Sequence, residues 1–136
     1  MKKIFLAIFA LSMLAFMPKP KKQQVLFFGD SITQAAVNPG GYIVLIDSMC
    51  NAQGLKENYQ FTGAGIGGNK VYDLYLRMED DVLSKNPDMV FIYIGVNDVW
   101  HKATSGTGTD ADKFEKFYQA IIKKLKDKNI KVVLCT

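Results

Sequence analysis

The stretch that decides the fold is LFFGDSIT, Leu26 to Thr33. It begins with a short apolar run, which is typical of a strand buried on both faces. The run ends in a glycine, an acid and a hydroxyl, an ending that suits either a loop cap or a nucleophile held at the end of a strand. The residues that the rest of the chain brings next to Ser31 decide between these two interpretations.

The rest of the chain alternates between strand and helix patterns. Strands are predicted at residues 25–28, 59–62, 89–95 and 131–135, and helices at residues 41–53, 71–82 and 114–125. Alternating strands and helices with short links predict an α/β fold, in which a parallel sheet carries helices on both faces. Asn69 is the predicted N-cap of the second helix. The predicted inward face of the first helix consists of Tyr42, Ile43, Leu45, Ile46, Met49 and Cys50.

Ligands of such sheets bind outside the carboxyl ends of the strands. This rule selects three loops, at residues 29–33, 63–70 and 95–104. The loops contain nearly all the residues of the chain that are suited to chemistry, so the sequence predicts that Ser31 has functional neighbours.

Each of these loops carries a motif: GDSIT after the first strand, GIGGNK after the second and GVND after the third. Together with the lead-in NPDMVFIYIG, they resemble the SGNH (GDSL-type) hydrolases, in the same order, over residues 25–136. The resemblance implies a three-layer α/β/α, flavodoxin-like sheet, of which this chain carries four of five expected strands. It also implies hydrolysis of an acyl or acetyl ester of a carbohydrate or lipid, with no cofactor.

The resemblance gives a role to individual residues. Ser31 matches the nucleophile, which forms an acyl-enzyme, and Gly65 and Asn97 match residues of the oxyanion hole. The backbone N–H groups of Ser31 and Gly65 and the side-chain amide of Asn97 are expected to bind the oxyanion. Asp30 and Asp98 are expected to hydrogen-bond the loop backbone and hold the turns.

The resemblance also implies an Asp-x-x-His block after a fifth strand, and no residue of this chain occupies that block. The chain is therefore expected to be an incomplete copy of a longer hydrolase, with impaired activity as it stands. Asp98-Val99-Trp100-His101 spells the same pattern, but its aspartate already belongs to GVND. The favoured interpretation of Trp100 and His101 is a rim that contacts substrate, and the alternative is that His101 is the general base.

The N-terminus has the pattern of an export signal. Lys2 and Lys3 precede the apolar run 4–16, which is too short to span a bilayer comfortably. We expect a signal peptide or uncleaved signal anchor at residues 1–17, a linker at 18–24 and one hydrolase domain at 25–136. The protein is expected to be exported to the periplasm or the exterior, and to contact membrane only through an uncleaved signal.

The amino-acid composition argues against two classes of partner for the domain, nucleic acids and metal ions. The net charge of the sequence is +4, but residues 23–136 contain 12 basic and 13 acidic side chains. This near-neutral balance gives no electrostatic reason to expect nucleic-acid binding. One histidine and two distant cysteines do not predict a metal site. Cys50 and Cys135 lie at apolar positions and are expected to be unpaired thiols.

Two other functions stay open from the sequence. Gly63, Gly65 and Gly68 satisfy the G-x-G-x-x-G pattern of dinucleotide-binding proteins, although no acid closes the next strand as that pattern requires. The second alternative is a non-catalytic domain that keeps the ligand pocket and lacks the base.

Overall fold

The structure is a computed structural model that describes residues 21–136. The predicted signal segment and the first part of the linker lie outside the described residues. No helix within residues 21–136 has both the length and the apolar character needed to cross a membrane. The described elements are β1 (Gln23–Gly29), α1 (Ser31–Ala35), α2 (Tyr42–Ala52), β2 (Tyr59–Gly65), α3 (Val71–Asp81), a 3₁₀ turn (Leu83–Lys85), β3 (Met89–Tyr93), α4 (Val96–Ser105), α5 (Ala111–Asp127) and β4 (Lys131–Cys135).

The four strands form one parallel sheet in the order β2-β1-β3-β4. β1 is central, and its residues from Val25 onward are buried because both faces of the sheet are covered at this strand. The α/β class, the four parallel strands and the flavodoxin-like order are therefore confirmed. β1 begins two residues earlier than predicted, since Gln23 N–H donates to Asn58 O at 2.8 Å and extends the pairing.

Each face of the sheet has its own core. The first face carries Leu26 and Phe28 of β1 and packs against α3 and α5. The second face carries Val25 and Phe27 and packs against α2. The fully buried members of the first core include Val71, Leu74, Met78, Val90, Ile92, Ile121 and Leu125.

The prediction for the inward face of α2 was wrong at two positions. Leu45 is 52% exposed and Met49 is 63% exposed. α2 contacts the sheet along a narrow stripe through Ile43 and Ile46, so residues 45 and 49 lie on its flank in solvent. Cys50 is half-buried, and both cysteines are free thiols.

The prediction of a loop at residues 95–104 was also wrong, because α4 occupies most of it. Gly95, with φ of 131°, lets the chain turn from β3 directly into the helix. Gly106 ends α4 in the left-handed conformation, and its N–H donates to His101 O. GVND therefore forms a helix start in which Asn97 and Asp98 belong to the first turn.

The two leucines of α3 provide a test of this packing. Leu74 is 0% exposed between the sheet and α5, whereas Leu76 is 74% exposed. We expect Leu74→Ala to lower the free energy of unfolding by about 2–5 kcal/mol, because it leaves a cavity in the first core. Leu76→Ala should change it by less than about 0.5 kcal/mol. Urea denaturation followed by circular dichroism measures both, and equal losses would contradict the assignment of the inward face.

Candidate active site

The register of the sheet brings three strand ends to one level. Gly29 of β1 pairs with Gly65 of β2 on one side and with Tyr93 of β3 on the other. After β1 the chain passes to α2 on the second face, and after β3 it passes to α5 on the first face. In a parallel sheet, ligands bind at the strand ends where two neighbouring connections diverge in this way.

α1 begins at this point, with Ser31 as its first residue, and Ser31 is exposed. Asp30 is the N-cap and is 1% exposed; its carboxylate accepts a hydrogen bond from Ile32 N–H at 3.0 Å. This confirms the expected turn-holding role of Asp30. Neither the hydroxyl nor the backbone N–H of Ser31 forms a hydrogen bond with another described residue, so both are available to a ligand.

Gly65 and Gly67 contact the start of α1 in different ways. Ile66 N–H points toward β1 and donates to Gly29 O at 3.3 Å, so the N–H of the preceding Gly65 points to the opposite edge of the strand. Gly65 instead lies under α1, where an added Cβ would meet the Gln34 backbone nitrogen and come within 2.7 Å of Asp30 O. The absence of a side chain at Gly65 therefore lets α1 rest on β2.

Gly67, in the exposed loop after β2, faces the nucleophile. A Cβ added there would lie 3.9 Å from the Ser31 Cβ and 3.0 Å from Gln34 Oε1. The Gly67 N–H donates to Gln34 Oε1 at 2.8 Å. The motif GIGGNK contains this glycine, but its spacing does not distinguish Gly67 from its neighbours. The strand pairing distinguishes them.

Asn97 reaches the same loop from the third strand end. It is 3% exposed, and its Nδ2 donates to the Asn69 backbone carbonyl at 3.0 Å. A carboxamide nitrogen carries two hydrogens, so one is held by the loop and the second remains for a ligand. Asn97 therefore joins α4 to the loop that contains Gly67.

Asp98 joins α4, in which it lies, to the start of α3. It is 2% exposed, and both of its carboxylate oxygens lie 3.2 Å from Val71 N, at the start of α3. Burial raises the pKa of Asp98 above its ordinary value, and the Val71 N–H opposes this effect. The expected role of Asp98 in holding the backbone is confirmed. One partner of Asp98 is a helix start 27 residues away in sequence.

The start of α3 differs from the prediction. Lys70, not Asn69, is the N-cap, and its N–H donates to the Asp73 carboxylate at 2.8 Å. Asn69 instead ties the loop before α3 to Arg77, because its side-chain oxygen accepts a hydrogen bond from Arg77 Nε at 2.7 Å. The sequence predicted no role for Gln34 or Arg77, and for Asn69 it predicted only the capping of the second helix. A signal existed for Arg77, since it is the only arginine among the 17 basic residues.

Trp100 and His101 lie on α4, one turn after Asn97 on the same side of the helix. Trp100 is 59% exposed and His101 is half-buried, with their ring centroids 5.4 Å apart. No hydrogen bond joins the imidazole to Ser31 or to any other residue in the described part of the chain. Their assignment to a substrate-contacting rim stays a prediction.

Packing accounts for the glycines that match the dinucleotide pattern. A Cβ at Gly63 would lie 2.5 Å from Val37 Cγ1, and Gly65 lies under α1. Both glycines belong to β2 rather than to a loop that could surround a phosphate. Gly68, with φ of 76°, supplies the turn that follows.

Comparison with known proteins gives one family. The sequence profile of the GDSL-like lipase/acylhydrolase family matches residues 27–136. The crystal structure of an acetyl xylan esterase, AlAXEase, is 69% identical, with a TM-score of 0.81 over 83% of this chain and 57% of that one. A putative GDSL-like lipase from Parabacteroides merdae is 32% identical, with a TM-score of 0.74 over 88% of this chain and 62% of that one. An acetylxylan esterase from Geobacillus stearothermophilus is 35% identical over 59% of this chain and 42% of that protein. The chain thus spans about half the length of these relatives.

The different positions of Gly65 and Gly67 predict different responses to a methyl group. Gly65→Ala should lower the free energy of unfolding by about 1–3 kcal/mol, because the new Cβ meets backbone atoms at the start of α1, which cannot turn aside as the end of a side chain can. Gly67→Ala should change it by less than about 0.5 kcal/mol, since its nearest neighbour is the end of a flexible side chain. Urea denaturation distinguishes the two, and an unchanged midpoint for Gly65→Ala would refute the close packing.

Proposed function

Because the chain belongs to the GDSL-like lipase/acylhydrolase family, we propose that it accepts the acyl group of a carboxylic ester on Ser31. The substrate we propose is an acetyl ester carried by a carbohydrate. The observation that carries the proposal is the exposed Ser31 hydroxyl at the convergence of three strand ends, with Gly67 on one side. The described residues supply three candidate donors to an oxyanion: Ser31 N–H, Gly67 N–H and the second hydrogen of Asn97 Nδ2.

The reaction begins when Ser31 Oγ attacks the carbonyl carbon of the ester and forms a new C–O bond. The carbonyl π electrons move to its oxygen, and the resulting oxyanion accepts hydrogen bonds from the three donors. Collapse of this intermediate breaks the bond to the sugar oxygen, which takes the proton that Ser31 Oγ has lost and leaves as the alcohol. The acetyl group stays on Ser31 until water attacks it and releases acetate.

Gly67 replaces Gly65 as the second backbone donor in this proposal. The Gly67 N–H is directed at an oxygen in the structure, since it donates to Gln34 Oε1 at 2.8 Å. Gln34 is exposed, so its side chain has room to rotate away when a substrate oxygen takes that position. The side-chain oxygen of Gln34 thus marks where an acceptor sits relative to Gly67. One donor of this kind is typically worth about 3 kcal/mol of barrier.

The proton of Ser31 requires an acceptor, because a serine hydroxyl is a weak nucleophile at neutral pH. His101 is the only histidine of the sequence, and it is not hydrogen-bonded to Ser31 in the described residues. We therefore assign to this chain the nucleophile and the oxyanion donors, and we keep His101 with Trp100 at the rim. In other serine hydrolases, binding and oxyanion donors alone retain about 10³–10⁴-fold catalysis over water.

The relatives and the rim support an acetylated carbohydrate as the substrate. Two similar proteins are named acetyl xylan or acetylxylan esterases. The indole of Trp100 offers a flat apolar surface, one helical turn from Asn97, against which a sugar ring can pack. Exposed Ile32 and Ile66 flank the loops after β1 and β2 and give the small apolar contacts that suit an acetyl group.

We further propose that the protein is exported, from the pattern of Lys2, Lys3 and the apolar run 4–16. The full-length chain should be found outside the cytoplasm of an expressing bacterium, because a charged start and an apolar segment direct secretion. Fractionation followed by immunoblotting measures this, with a variant that lacks residues 2–16 as the control. Retention of both forms in the cytoplasm would refute export.

Acetylation of Ser31 tests the proposed reaction directly. We expect the purified chain, mixed with an activated acetyl ester, to gain the mass of one acetyl group on the peptide that contains Ser31. Ser31→Ala should abolish this labelling and lower acetate release from acetylated xylo-oligosaccharides to background. Ser48→Ala is the matched control, because Ser48 is an exposed serine within α2 and belongs to none of the three loops that follow the strands. Equal labelling of Ser31→Ala and the parent chain would disprove the assignment and favour a non-catalytic binding domain.

A further inference from the structure

Arg77 is a largely buried cation that none of the reaction steps uses. It lies on α3, its side chain is 15% exposed, and its guanidinium carbon is 4.6 Å from the centre of the Phe28 ring. All 16 other basic residues of the chain are lysines. A buried guanidinium needs several acceptors to offset its lost hydration, so the groups it binds show what it holds in place.

Those groups lie at the strand ends that form the site. Arg77 Nη2 donates to Gly29 O at 2.8 Å and to Ala64 O at 3.0 Å, which are the carbonyls at the ends of β1 and β2. Arg77 Nε donates to Asn69 Oδ1 at 2.7 Å, in the loop that contains Gly67. Arg77 Nη1 pairs with Asp81 at 2.6 Å, one turn further along α3.

Asn69 extends this connection to the third strand end. Its side-chain oxygen accepts from Arg77, and its backbone carbonyl accepts from Asn97 Nδ2 at 3.0 Å. One guanidinium therefore contacts the strand that leads to Ser31 and, through Asn69, fixes the carboxamide of Asn97. A lysine has a single ammonium group without the planar fork, so it cannot make these bonds in the same directions at once.

We propose that Arg77 is a positioning residue, which sets the distance between Ser31 and the donors Gly67 and Asn97 through its bonds to Gly29, Ala64 and Asn69. This inference rests on the proposed function. Arg77 itself does not contact the substrate. Its effect is on the alignment of the groups that do, and misplacement of reacting groups by about 1 Å can slow a reaction by about 100-fold.

The test compares Arg77→Lys with a substitution at a buried residue that takes no part in these hydrogen bonds. Acetylation of Ser31 is followed in a single turnover at increasing concentrations of an activated acetyl ester. We expect Arg77→Lys to lower the limiting rate by about 10- to 100-fold and to leave the half-saturating concentration near that of the parent chain. Ile121→Val, in the first core, is the control: it is expected to lower stability and to keep the limiting rate.

A second readout does not depend on activity. Hydrogen exchange of the backbone amides in loop 66–70 should accelerate in Arg77→Lys and stay at the parent rate in Ile121→Val. In Arg77→Ala, added guanidinium ion should restore part of the lost acetylation rate, whereas potassium at the same concentration should not. Rescue of this kind is not expected if Arg77 only supports the fold.

The outcomes separate the two proposals. If the parent chain is not acetylated, the proposed function fails. The role of Arg77 is then tested only by hydrogen exchange of the backbone amides in loop 66–70. If the parent chain is acetylated and Arg77→Lys matches it in limiting rate and in loop exchange, the positioning role is overturned. A loss of rate in Ile121→Val as large as that in Arg77→Lys would also overturn it, because stability would then explain both.

Discussion

The site depends on the parallel register of β1 with both of its neighbours. Because Gly29 pairs with Gly65 and with Tyr93, three loops leave the sheet at the same level and on adjacent strands. A shift of one residue in either pairing would turn every side chain of that strand to the other face and move one loop away from Ser31. The two cores exclude such a shift, since Val25 and Phe27 face one layer and Leu26 and Phe28 the other.

Apolar packing fixes the register of the strands but not the conformation of the loops. Polar groups with little exposure to solvent hold the loops in place. Asp98 binds the first N–H of α3, and Arg77 binds the carbonyls of β1 and β2. Asp98 is 2% exposed and the Arg77 side chain is 15% exposed, so water replaces an unmade bond poorly and a costly unsatisfied group would remain. The same bonds therefore favour one arrangement of the loops over the alternatives. This explains why charged groups are buried next to an exposed nucleophile.

The sequence predicted the fold well because strand and helix patterns depend on local composition. The four strands, their parallel arrangement and the position of Ser31 follow from apolar runs and from motifs at their ends, and the strand order is the one that the family resemblance implied. The errors arose where tertiary contacts decide. The exposure of Leu45 depends on how α2 packs against the sheet. The helix at residues 96–105 depends on the positive φ that Gly95 adopts after β3, which spacing does not reveal. The contacts of Arg77 join residues up to 48 positions apart, and no local pattern predicts them.

The origin of the donors explains why their alignment requires this support. Two of the three candidate donors are backbone N–H groups, whose positions are set by the chain path and not by a side-chain rotamer. The third, Asn97, is a side chain with one of its two hydrogens already bound to Asn69. Such donors are useful only when they point at the oxyanion before it forms, since reorganisation during the reaction would consume the stabilisation they offer. A rigid connection between the loop of Gly67, the carboxamide of Asn97 and the strand before Ser31 is therefore a requirement of the chemistry, and the Asn69 and Arg77 bonds provide one within the described residues.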